Sequence, residues 1–408
     1  MLRVANIKII TRSSTIDKPA CSHPMNRKAY FINLDGLRSI ACLMVFSWHA
    51  LRVGHIETGF SQPVLNNLAV TLFNGKNGVS IFFVLSGFLI TYLILREINR
   101  EGSLSLRDFY MRRILRIWPL YFLLLTIIFI GIPLINSVIP MINTDTDVKP
   151  VYYFTFLSNF DVLRIFETTG RDFLPSTITW SVAIEEQFYL VWPLLFMLFP
   201  VKKIQYVLLF CILIGFWYRW ENFSEHPNRV YFHTLSAVFD LSVGGISAWF
   251  CINSKRVRSF FESFSDRGRI LAGIIGLGIM YLNVASTDKL VQFTTKNLQA
   301  VFFATIIIDQ CYGIEGKLQF SKSEVLTNLG KYTYGMYMYH PLILLVLNTA
   351  AIRLLGLRID SYYTMMLDLV IGLPLTIITA KLSYLFIEKR FLAIKKRFEF
   401  QRKPALTP

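Results

Sequence analysis

The chain has 408 residues, 54% hydrophobic and 17% charged, against about 45–50% and about 25% in an ordinary soluble domain. Its mean hydropathy of +0.47 excludes a disordered chain, a coiled coil and a small disulfide scaffold. The formal charge of +16 leaves two explanations, a nucleic-acid surface or basic cytoplasmic loops.

Residues 1–29 read as a polar, basic arm with no secretory leader, because no long apolar core precedes a small-residue cleavage site. Met25 stands directly before Asn26-Arg27-Lys28, and organised sequence begins near Tyr30, so Met25 is the expected natural start. Ten stretches then approach the roughly 20 apolar residues that a membrane helix needs. They are 35–53, 77–95, 117–139, 180–199, 204–220, 231–252, 270–286, 298–312, 334–352 and 363–387. Val151–Phe160 is too short to cross and reads as interfacial or re-entrant, and 140–179 is the only sizeable loop expected. Residues 30–397 thus form one membrane domain, followed by a basic tail at 398–408.

If the spans alternate and residues near span ends are counted with the adjoining side, 30 basic residues fall on the side of the N-terminus and 11 on the other, with Arg38 inside the first span. Excess Lys and Arg mark the cytoplasmic side. The expected fold class is therefore all-α, a polytopic ten-helix bundle with both termini cytoplasmic. The loops account for the charge, so nucleic acid is not an expected partner. Five cysteines contain no CxxC pair, and neither a disulfide framework nor a metal site is expected.

Ionisable groups in hydrocarbon cost about 2.5–3.5 kcal/mol each on insertion scales, and those that remain normally face the bundle interior. The first span holds Asp35, Arg38 and His49. Eleven positions at about 100° each bring His49 within about 20° of Arg38, some 16 Å further along the axis. Asp35 and Arg38 are i, i+3 neighbours able to pair. In the second span Ser86-Gly87 suits close helix approach. Before the third span, Arg113 and Arg116 lie on one face, and arginine forks bind phosphate in pairs of hydrogen bonds. The fourth span carries Glu185 and Glu186, adjacent carboxylates in an apolar run, suited to proton transfer. For Asp240, Asp309, Asp368 and His340, hydrogen bonding between helices is the expected role.

Six blocks in order resemble the acyltransferase-3 family of integral-membrane O-acyltransferases, which includes O-antigen, exopolysaccharide and nodulation-factor acetylases. They are Leu34-Asp35-Gly36-Leu37-Arg38 with His49; Phe82-Phe83-Val84-Leu85-Ser86-Gly87-Phe88; Phe109-Tyr110-Met111-Arg112-Arg113; Trp180-Ser181 with Glu185-Glu186-Gln187-Phe188-Tyr189; Tyr334-Gly335-Met336-Tyr337-Met338-Tyr339-His340-Pro341; and Phe386-Ile387-Glu388-Lys389. The resemblance runs from about Tyr30 to about Arg397 and implies a ten-helix bundle. It implies transfer of an acyl group, most simply acetyl, from acyl-CoA to a hydroxyl of a saccharide or lipid-linked glycan at a bacterial inner membrane. Arg38 and His49 match its arginine-x10-histidine motif, Arg113 and Arg116 its RxxR motif for the CoA phosphates, and Glu185 its acidic position. Some relatives add a C-terminal esterase domain, for which only a basic tail is expected here. Lys389-Arg390 departs slightly from the family's usual Arg/Lys-Pro.

The expected chemistry has His49 taking the acceptor's proton, or less directly carrying the acyl group, with Arg38 and Glu185 as its companions. Asp35, Ser86, Glu186 and His340 complete the candidate set as residues that touch the acceptor. The competing class is a secondary transporter or flippase, whose repeated halves and broken helices are not evident in the sequence.

Overall fold

In the computed structural model, the described residues are 31–51, 63–138, 148–170, 175–313, 318–358 and 361–398. The expectations for the arm at 1–29, for Met25 and for the tail beyond residue 398 lie outside them. Each of the ten expected stretches falls on a helix where it is described. The helices are α1 (Ile32–Ala50), α2 (Gly75–Glu101), α3 (Leu106–Thr126), α4 (Thr179–Leu198), α5 (Ile204–Asn222), α6 (Thr234–Asn253), α7 (Asp266–Ala285), α8 (Lys289–Tyr312), α9 (Thr333–Leu355) and α10 (Tyr362–Phe398). No strand occurs among the described residues.

Eight helices are long and apolar enough to cross a bilayer, where ten spans were expected. The two that fall short are α1 and α8. Their length suffices, but polar residues dilute their hydropathy, and those residues are turned inward. Asp35, Ser39, Asn297 and Gln299 are all buried. The protein is a multi-pass membrane protein whose lipid-facing helices are the apolar ones. On α5 and α7, Leu213, Trp217, Leu271 and Ile274 are more than half exposed, a display that a soluble surface avoids.

The centre is made by α2 and α6. Residues Leu241–Ala248 of α6 are buried without interruption, as in a helix enclosed on every side. The crossing depends on two glycines. A Cβ on Gly87 would lie 1.8 Å from the Leu241 carbonyl oxygen, and one on Gly244 would lie 2.0 Å from that of Val84. Backbone therefore meets backbone at this point, the close approach expected of Ser86-Gly87.

Buried acids tie helices together. Asp240 of α6 pairs with Arg219 of α5 at 3.0 Å, Asp309 of α8 with Arg269 of α7 at 2.9 Å, and Asp368 of α10 accepts from Asn348 of α9 at 3.1 Å. The expected loop at 140–179 is instead largely helical where described, over Pro150–Phe154 and Ser158–Thr169. These short helices are built into the fold, with Tyr153, Asn159 and Asp161 wholly buried. Asp161 accepts from the Lys149 amide at 3.0 Å, and Asn159 donates to the Phe232 carbonyl at 3.2 Å. Their polarity, which read as loop, is spent on these internal bonds.

Candidate active site

Two cavities open toward opposite ends of α1. The first lies among α1, α2, α3, α4 and α9, with about 860 Å³ of empty space counted to its mouth. Arg38, Arg113, Arg116, Ser86, Glu185 and Tyr189 belong to its polar lining. Arg113 stacks over the Tyr189 ring, its guanidinium carbon 5.2 Å from the centroid. Neither Arg113 nor Arg116 has a carboxylate within ion-pair distance among the described residues. Arg112 is used differently: it pairs with buried Glu97 at 2.8 Å and donates to the Phe398 carbonyl at 2.8 Å. So of three clustered arginines one braces the fold and two face the cavity.

Arg38 reaches this cavity from α1 while donating to Asp35 at 2.6 Å. Glu185 accepts from the Ser86 hydroxyl at 2.7 Å and from the Tyr189 hydroxyl at 3.0 Å. Three cations thus line the cavity against one carboxylate, and that carboxylate already has two hydroxyl donors. Such a lining attracts a polyanion.

The second cavity, with about 1050 Å³ of empty space, has His49, Trp48, Lys76, Trp180 and Tyr231 on its walls. His49 Nδ1 is 3.0 Å from His340 Nε2, and His340 Nδ1 is 3.2 Å from the Met336 carbonyl oxygen. A carbonyl only accepts, so His340 donates from Nδ1 and accepts at Nε2. With both rings neutral, His49 then donates from Nδ1 and carries its lone pair on Nε2. Val79 and Tyr337 line both cavities and form the partition between them. The Tyr337 hydroxyl is held 2.6 Å from Ser181 Oγ.

The structure thus sends Arg38 and His49 of one helix into different cavities and gathers Ser86, Arg113, Arg116 and Glu185 with Arg38. Asp35, Glu186 and His340 line neither cavity. Glu186 points away from Glu185 and accepts from the Trp118 indole at 2.9 Å, because neighbours on a helix are about 100° apart. His340 stands behind His49. Sequence reasoning missed Tyr189, Tyr337, Lys76 and Trp180. Tyr189 was within reach, being four residues beyond Glu185 on the same face. Among the described residues no group of His, Cys, Asp and Glu is placed to hold a metal.

Comparison with known proteins bears on what these cavities are for. The family described as an acyltransferase domain matches residues 31–385. The chain is 27% identical over 379 residues to the peptidoglycan O-acetyltransferase OatA of Listeria monocytogenes, covering 88% of this chain and 56% of that one. It is 28% identical over 384 residues to a Bacillus subtilis protein provisionally named peptidoglycan O-acetyltransferase, covering 90% and 56%. A Staphylococcus aureus protein provisionally named O-acetyltransferase is also 28% identical, with 89% and 57% covered. The chain spans little more than half the length of each of these relatives. No solved structure matches it.

Proposed function

This chain belongs to the acyltransferase-3 family, and from that membership we propose that it is a membrane O-acyltransferase moving an acyl group, most simply acetyl, from acyl-CoA to a glycan hydroxyl. The observation that carries the reading is the pair of cavities at opposite ends of α1, one lined by arginines and one by an imidazole.

The donor belongs in the arginine cavity. CoA is cytoplasmic and carries phosphates, and Arg113 and Arg116 meet them near the mouth, with Arg38 extending the positive path inward. The bias of basic residues toward that side, 30 against 11 when ten spans alternate, supports a cytoplasmic mouth. The acceptor belongs in the His49 cavity at the far face of a bacterial inner membrane. The names of the relatives make peptidoglycan one candidate acceptor.

The two substrates meet at the Val79–Tyr337 partition. A sugar hydroxyl is a poor nucleophile until its proton leaves. His49, oriented through His340, takes that proton at Nε2 while the oxygen attacks the thioester carbonyl. The C–S bond breaks, the CoA thiolate departs, and the imidazolium proton neutralises it. Glu185, Ser86 and Tyr189 form the wall that the acyl arm passes. Asp35 keeps the Arg38 guanidinium oriented.

The test is transfer of radiolabelled acetyl from acetyl-CoA to a panel of soluble glycans by purified protein in lipid nanodiscs. Label on the glycan, lost in His49→Ala, is the expected result. Acetyl-CoA left intact across the panel, or equal product from His49→Ala, overturns the proposal. Passage of unmodified glycan across a vesicle bilayer without transfer would identify a flippase instead.

A further inference from the structure

Beside the His49 cavity lies a smaller recess that the acyl-transfer reading leaves unused. It shares Lys76, Val79, Trp180 and Tyr231 with that cavity, so the two adjoin. Its floor is the Arg219–Asp240 pair, both residues only 2–3% exposed. This pair is buried but not saturated, because Asp240 Oδ1 meets Arg219 as an ion pair and takes no hydrogen bond among the described residues. Arg219 meets Asp240 at 3.0 Å and donates to Ser236 Oγ and to Asn297 Oδ1, each at 3.1 Å. Asp240 also accepts from the Ser80 hydroxyl at 2.9 Å.

One step along α8 from Asn297, Lys296 lines the same recess. Among the described residues Asp240 is the only carboxylate on this lining, and it pairs directly with Arg219, reaching Lys296 only at longer range. Lys296 is half-buried and has neither an ion pair nor a hydrogen bond among the described residues. Lys76 stands at the exposed mouth, its ammonium 5.3 Å from the centre of the Tyr231 ring. An ammonium with no direct ion pair inside a membrane bundle is costly. A compact charge with three donors suits a phosphate or carboxylate that arrives from outside.

We propose that Lys296 and Lys76 form an anion-binding subsite of the His49 cavity, which selects an acceptor glycan bearing a phosphate or a carboxylate. The inference rests on the reading of that cavity as the acceptor's. It narrows the substrate class: a neutral sugar fills the cavity but leaves Lys296 without a partner, whereas an anionic one neutralises it. The Arg219–Asp240 pair holds Ser236 and Asn297 in place and so fixes the wall from which Lys296 projects.

The test is equilibrium binding to the purified protein in phosphatidylcholine nanodiscs, read by the fluorescence of Trp48 and Trp180 in the cavity wall. The probes are glucose 1-phosphate, glucuronic acid and methyl glucoside. The anionic probes bind and the glucoside does so at least about tenfold more weakly, the worth of one charge-assisted hydrogen bond. Lys296→Gln removes that preference, Lys296→Arg keeps it, and Lys289→Gln, an exposed change on the same helix, has no effect. The stronger of the two anionic probes identifies phosphate or carboxylate as the natural group. Should Lys296→Gln fail to fold, Lys76→Gln weakens the anionic probes alone. Equal affinity for all three sugars, or anion binding untouched by the lysine changes, overturns the proposal. Acetyl transfer measured on the same preparations separates the two readings. Anion binding without transfer overturns the acyltransferase assignment and with it the acceptor role, leaving a bare anion site, whereas transfer without anion preference overturns the subsite alone.

Discussion

The three arginines at the start of α3 make a controlled experiment, because adjacent residues of one type have opposite surroundings. Arg112 answers Glu97, which is 3% exposed and also accepts from the Ser105 amide at 2.9 Å. Truncating it leaves a buried carboxylate unanswered, a loss of about 3–5 kcal/mol of stability. Arg113 has no acidic partner to abandon and rests against Tyr189. Its truncation should spare the fold and remove one charge-assisted contact to a phosphate, about 1.5–3 kcal/mol, or roughly 10- to 100-fold in Kd. Arg116 is exposed, so water screens it and its loss should cost at most about 1 kcal/mol, roughly fivefold. Equilibrium binding of CoA to Arg112→Ala, Arg113→Ala and Arg116→Ala in nanodiscs, paired with thermal unfolding of each, reads both quantities. The expected pattern is a melting loss confined to Arg112→Ala and a binding loss ordered Arg113 above Arg116. If Arg112→Ala weakens CoA as much as Arg113→Ala does, or Arg113→Ala binds CoA normally, the division of labour is wrong.

Other consequences are equally direct. Gly87→Val should lower the melting temperature and activity together, since even a Cβ there must move roughly 1.5 Å to reach ordinary contact with Leu241; Gly273→Val, where a Cβ meets nothing within 4 Å, is the control, and equal melting of the two would refute the crossing. Asp240→Ala should cost about 3–5 kcal/mol by stranding Arg219, and adding Arg219→Met should recover most of it; denaturation in a mild detergent series reads both. His340→Phe should lower kcat while leaving the KM for acetyl-CoA unchanged, because it frees the His49 ring without touching the donor cavity. A KM effect of similar size would place His340 in a different role.

Much of this architecture was legible in the residues. Each of the ten apolar stretches falls on a helix where it is described, and Asp240, Asp309 and Asp368 found partners on neighbouring helices. Helix geometry alone put Arg38 and His49 on one face, whereas their lining of two different cavities needed the neighbouring helices. What escaped was whatever depends on three or more helices at once. The partition at Val79 and Tyr337 joins α2 to α9, and no spacing rule on one helix reveals it. Lys296 was hidden for a related reason: it lies just outside an expected span, where a lysine ordinarily reads as a headgroup anchor. The loop at 140–179 misled because composition reports polarity and not where the polar groups are satisfied. Glu185 and Glu186 looked like one acidic pair, although the pitch of a helix had already assigned them different neighbours.

The thin wall between the two cavities has a significance apart from acyl transfer. A bilayer that stores energy as an ion gradient cannot tolerate a continuous wet path through any of its proteins. Here two recesses approach each other along one helix and stop at an isopropyl group and a phenol ring, the latter pinned by Ser181. Trimming Val79 or Tyr337 should therefore join the two recesses and turn the protein into a leak.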